Sequence, residues 1–269
     1  MIRPPAVAGR FYPSEPEKLT QQIEQFVSLS PAGERARVLG CIVPHAGYMY
    51  SGHVAGAVYA AIEIPRKFIL LGPRHFPRGE PMAILASGSF STPLGEAKID
   101  EQLATALAHA CPRLREDAVA HEREHSLEVQ IPFLQYLAED FSFVPVVLAT
   151  DRYGAIEELG RAVAKVVAGE SEPVLAVAST DMNHYEDDEI TRVKDGRAIE
   201  RILALDPRGL YDTVRSEGIT MCGYAATTAL LVAMRELGAT EARLVRYATS
   251  GDAGGDREQV VGYAGIVIG

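Results

Sequence analysis

Four short apolar runs, VLGCIVP (38–44), KFILLG (67–72), SFVPVVLA (142–149) and PVLAVAST (173–180), punctuate this chain. None alternates apolar with polar residues, so each must bury both faces of a strand. The stretches between them carry apolar residues at helical spacing and supply the two covering layers. This grammar predicts one α/β domain over residues 1–269, a three-layer αβα sandwich with a central, mostly parallel or mixed sheet. A closed barrel shares the same alternation.

Helices are expected from PEKLTQQIEQFV, where Leu19, Ile23, Phe26 and Val27 form one stripe, and from the small-residue segment GHVAGAVYAAI. Others are expected over 100–110, 126–140, 154–168, 190–204 and 223–236, the second of these with Leu127, Ile131, Leu134 and Leu137 on one face. MAILAS, ARLVRYATS and VVGYAGIVIG read as further strands, and GSFSTPLGEAK as a turn-rich connection.

Charge restricts the partners. Lys and Arg number 26 against 36 Asp and Glu, a formal charge of −10, with no basic stripe to neutralise phosphates. Nucleic acid and an anionic membrane surface are disfavoured. The three cysteines are too few and too scattered for a disulfide scaffold, which suits a reducing cytoplasm. An early segment rich in charge and proline, and the lack of any long apolar run, argue against export and membrane insertion. A homodimer is the base-rate expectation for oligomeric state.

A doubly covered sheet places its ligand crevice outside the carboxyl ends of its strands. Three histidines follow predicted strands closely: His45 after CIVP, His75 after LLGPR and His184 after AVASTDMN. One loop histidine is most simply a solvated side chain; three at equivalent positions point to a metal. A third, anionic donor is then wanted, and Asp181, His184, Asp252 and Cys222 are the candidates. Cys222 precedes a predicted helix whose N-terminus would favour a thiolate, with Gly223 permitting close approach; its bland alternative is a buried small hydrophobe.

Residues 121–125 read HEREH, a literal match to the zinc-peptidase pattern HExxH. That motif needs a helix running through both histidines, and the polar flank offers none, so it reads as a decoy. His125 keeps interest of its own as a substrate-facing or supporting group. SGDAGGD lacks the spacing of a phosphate loop, and no GxSxG nucleophile elbow occurs.

Taken together and in order, VPHAGYMYSG, LGPRH, STPLGEAKID, EHSLEVQIPFL, DMNHY, CGYAATTALL and YATSGD resemble the MEMO family. Its bacterial and archaeal members are labelled protein B of the AmmeMemoRadiSam system. That family is similar in fold and pocket location to the class III extradiol dioxygenases of the LigB type. The resemblance implies a LigB-like fold, metal-binding positions at His45, His75 and Cys222, and pocket residues at Asp181, His184 and His125. It also implies association with radical-SAM and AMMECR-type proteins.

One departure matters. The dioxygenases hold iron with two histidines and a carboxylate, and the resemblance places Cys222 at the position of the carboxylate. Thiolate donors shift preference among iron, copper and zinc, with iron or copper placed first and zinc as a further option, so ring cleavage does not transfer with the fold. Two functions follow as expectations. One is a metal-dependent oxidoreductase in which His184, Asp181 and His125 serve a small phenol-like substrate. The other is an adaptor that uses the same crevice for a peptide or small ligand without catalysis.

Overall fold

The computed structural model describes residues 1–29, 35–138, 140–254 and 256–269. Its centre is a parallel block in which Ser142–Leu148, Lys67–Pro73, Val174–Ser179 and Gly40–Val43 lie side by side in that order. These are the four apolar runs, and nearly every residue in them is buried. Beyond Gly40–Val43 the sheet turns antiparallel, with Val260–Ile268 paired to it and Ala242–Thr249 outermost. The sheet is therefore mixed, as expected.

Glycines show how both faces are covered. Paired residues project to the same face, so Gly40 shares a face with Ile268, while Gly265 looks the other way. A Cβ on Gly40 would meet Met234 and Leu230 of the helix Tyr224–Glu236; one on Gly265 would meet Val58 and Val54 of the helix Tyr48–Ala60. Backbone thus packs directly under a helix on each side, and the closed barrel is ruled out by the open strand order. Tyr153–Gly169 packs against Tyr224–Glu236 and completes that layer.

Two expectations change. The connection GSFSTPLGEAK contains a hairpin, Ser89–Thr92 against Gly95–Ile99, whose inward residues Phe90, Ala97 and Ile99 are buried. The helix expected over 126–140 is shorter: a 3-10 turn at Glu128–Gln130 leads into Ile131–Leu137, and Glu139 lies outside the described residues. Pro132 starts that helix, since its missing N–H falls among donors that have no partner in a first turn. Glu128 is drawn inward instead of lying on a helix surface. It takes hydrogen bonds from the Ala6 and Val7 amides and the Tyr12 hydroxyl, and pairs with Arg3 at 2.7 Å.

No helix among the described residues is long and apolar enough to cross a membrane.

Candidate metal centre

Three adjacent parallel strands each deliver a polar group two residues past their carboxyl ends: His45 after Val43, His75 after Pro73, and Asp181 after Ser179. The ends are level to within one residue: Val43 pairs with Ser179, and Leu71 with Ala178, which sets Pro73 one position further out. Equal offsets from a level edge bring the groups into one cleft of about 810 Å³. Phe11, Tyr50, Tyr185 and Tyr263 give it aromatic walls; His125, His184 and Cys222 also line it. Tyr48 is buried with its hydroxyl donating to the Val129 carbonyl, and belongs to the packing.

His45, His75 and His125 offer ligand atoms that lie within 4.8 Å of one another. Their rings meet at centroid distances of 5.2, 5.6 and 4.5 Å. This cluster could hold a metal ion, and its donor chemistry fits one: imidazole suits zinc, copper, iron and nickel alike. Burial, with repulsion from the other imidazoles, holds the His45 ring well below the usual histidine range and therefore neutral. Burial likewise brings His125 down to about 4. His75 feels the same burial, but its hydrogen bond to Glu124 and that carboxylate's charge outweigh it and raise its pKa.

Cys222, the expected third ligand, is not one of these three, although its Sγ lies 3.3 Å from His45 Nε2 across 177 positions of sequence. The Asp181 amide donates to this sulfur at 3.3 Å. Burial, reinforced by the Asp181 charge, pushes the thiol up, which outweighs the pull of the helix N-terminus expected to favour a thiolate. Gly223 does permit a close approach, but to protein: a Cβ there would fall 2.5 Å from Thr180, and its N–H donates to Thr180 Oγ1.

Asp181 is buried and accepts from the His45 and Ala46 amides at 2.8 and 3.3 Å. Burial raises its pKa against the pull of His184 and these two amides. His184 sits at the rim, its Nδ1 2.8 Å from the Thr220 carbonyl. Next to it Tyr185 adopts φ of 60° with 72 % of its surface exposed, a left-handed conformation that is costly for a bulky residue. Asp252 takes no part in the cleft and pairs with Arg192 at 2.8 Å.

Sequence reasoning overlooked Glu124. It is 2 % exposed, accepts from the His75 amide at 2.5 Å, and lies 2.8 Å from His75 Nδ1 and 3.6 Å from His125 Nδ1. Pairing with His75 overcomes burial and brings its carboxyl down to about 2. The only signal was its place inside HEREH, where it counted against a helix. The structure ends the helix Ala118–His121 before that point, so His121 and His125 share no helix face and the peptidase pattern is coincidental. Phe11 was also missed; it stands edge-on to His125 at 4.8 Å.

Fold and cleft together define an αβα protein with a histidine-rich pocket at the carboxyl edge of its sheet. The chain belongs to the MEMO family: the family model described as Memo-like protein matches residues 3–267. It is similar to a MEMO1 family protein of Methanopyrus kandleri, 42 % identical and covering 100 % of this chain and 99 % of the relative. Another relative, a MEMO1 family protein of Methanosarcina barkeri, is 38 % identical over 99 % of this chain and 100 % of its own length. Among solved structures, an uncharacterized protein of Escherichia coli K12 matches with a TM-score of 0.58 at 13 % identity. That match covers 87 % of this chain and 100 % of the other, a likeness of fold alone.

Proposed function

We propose that the cleft binds a first-row transition metal through His45 and His75, with Cys222 as third protein ligand, and serves a metal-dependent oxidoreductase acting on a small phenol-like molecule. The observation that supports this is the 3.3 Å approach of the Cys222 sulfur to His45 Nε2, while His75 and His125 cluster with the same His45 ring. A separation of 3.3 Å between Sγ and Nε2 is what two donors at about 2.3 and 2.0 Å from one ion would leave. Iron or copper suits a site of mixed imidazole and thiolate, with zinc as the redox-silent option. An ion bound there would supply Lewis-acid polarisation of a substrate oxygen and, if redox-active, electron transfer.

The chain's own groups supply the rest. The Thr220 carbonyl can only accept, so His184 Nδ1 donates to it and Nε2 keeps a lone pair able to take a proton from a phenol. Asp181 supports that proton by charge, and aromatic walls suit a planar ring. His125 faces the same space as a second proton-handling group, and its place in the imidazole cluster makes it the competing third ligand. Participation in a modification pathway with radical-SAM and AMMECR-type proteins rests on family membership.

The adaptor reading makes a different demand, since a phosphopeptide reader wants cations in its pocket. Among the described residues no Lys or Arg lines this cleft. Elemental analysis of protein purified without added metal decides between the two. Stoichiometric metal in the native protein, lost in His45→Ala and His75→Ala with the fold retained, is expected. Loss in Cys222→Ala but not in His125→Ala would fix sulfur as the third ligand, and the reverse would fix imidazole. A protein that takes up no first-row metal yet binds its peptide or small ligand is the adaptor.

A further inference from the structure

Two imidazoles from different strands can serve one ion only if both aim bare nitrogens at it, and a neutral ring has one bare nitrogen whose identity its other contact decides. We infer that the segment 124–130, rather than the strands that carry the rings, sets the tautomers of both His45 and His75 through Glu124 and through Gln130 acting on Ser179. These are positioning residues.

Counting protons gives the assignment. Glu124 Oε1 lies 2.8 Å from His75 Nδ1 and accepts the Ser126 amide at the same distance. An ionised carboxylate only accepts, so His75 Nδ1 carries the proton and Nε2 is bare. For His45 the partner is Ser179 Oγ, 3.0 Å from Nδ1, and a hydroxyl could play either role. Its one proton is already committed: Ser179 donates to the Ser126 carbonyl at 2.6 Å. Gln130 Nε2 donates to Ser179 Oγ at 2.8 Å, filling one lone pair. Only acceptance remains, so His45 Nδ1 must donate and its Nε2 is bare, facing the Cys222 sulfur.

The Gln130 amide cannot turn round. Its Nε2 also donates to the Pro44 carbonyl at 2.9 Å, and its Oε1 accepts the Tyr59 hydroxyl at 3.0 Å. All of Glu124, Ser126, Gln130 and Ser179 are buried, so water does not compete for these contacts. One short stretch thus reaches two strand ends: Glu124 directly, and Ser126 with Gln130 from either side of Ser179.

Long-range proton–nitrogen NMR on the ring-labelled, metal-free protein at alkaline pH tests this without any variant. Both His45 and His75 are expected in the Nδ1–H form; either ring in the Nε2–H form overturns the assignment. Ser179→Ala is expected to give His45 a mixture of tautomers, and Ser179→Ala and Glu124→Gln each to weaken cobalt(II) binding by about tenfold to a hundredfold with the circular dichroism unchanged. Unaltered tautomers and cobalt affinity in both folded variants would overturn it equally. The affinity measurement rests on the metal reading. A native protein that takes up no cobalt while both rings hold the Nδ1–H form would sink the metal and support the tautomer assignment.

Discussion

His121 and His125 stand one helical turn apart in sequence and reach opposite environments. His121 closes the helix Ala118–His121 and is buried beneath the sheet edge, near Phe90 and Arg3, with its Nε2 lacking any partner. His125 lies past the break, stacked on His75 in the cleft. The break is made from far away: Arg3 Nε donates to the His121 carbonyl at 2.6 Å, and its Nη2 reaches the Glu124 carbonyl at 2.5 Å. A string that would define a metal site on a continuous helix is here divided by an arginine near the other end of the domain.

If Arg3 divides the two histidines, then removing its partner should blur them. Glu128→Ala leaves Arg3 as a buried unpaired charge and strands the Ala6 and Val7 amides, so a loss of about 3–5 kcal/mol in denaturant unfolding is expected. A loss under about 1 kcal/mol would mean that the early segment does not hold the break.

Acid should bear on both, and reach furthest with His121. Burial, with the charge of Arg3, brings His121 down to about 3 from an ordinary 6.5. The unfolded chain then binds a proton that the native one refuses. Stability is full above about 6.5 and falls as pH drops toward 3, by up to about 1.4 kcal/mol per pH unit for this one group. His121→Phe should flatten that part of the profile; an unchanged acid slope would move the cause elsewhere.

Smaller effects sharpen the contrast in function. With His125 as the third ligand in place of Cys222, His125→Phe should weaken cobalt(II) binding by on the order of tenfold, about 1.4 kcal/mol; with Cys222 in that place the affinity stays as it is. His121→Phe should leave that affinity as it is and shift stability at neutral pH by less than about 1.5 kcal/mol, since an aromatic of similar volume replaces a neutral ring. Equal losses of metal binding in the two variants would abolish the distinction.

The legible parts of the molecule were those set by local pattern. The four apolar runs became the parallel core, and reading past their ends found His45, His75, Asp181 and His184 because strand ends in such sheets converge. The helix over 154–168 appears as Tyr153–Gly169, and that over 223–236 as Tyr224–Glu236. Glu124, Gln130 and Ser179 were illegible for the opposite reason. Each matters through a partner dozens of positions away, and a carboxylate between Arg123 and His125 looks like surface. The hairpin Ser89–Thr92 and Gly95–Ile99 was hidden by its glycines and proline, and its inward residues are too few to show alternation.

Strand order has a consequence for synthesis. Gly40–Val43, which presents His45, is flanked by Val174–Ser179 and Val260–Ile268, both made long after it. A chain emerging from the ribosome therefore holds this strand with both edges open until late, and loops spanning most of the domain must close first. The strand that presents His75 has both of its neighbours once Ser179 is made, whereas the strand of His45 waits for Val260–Ile268. Assembly of the cleft is thereby tied to completion of the whole sheet.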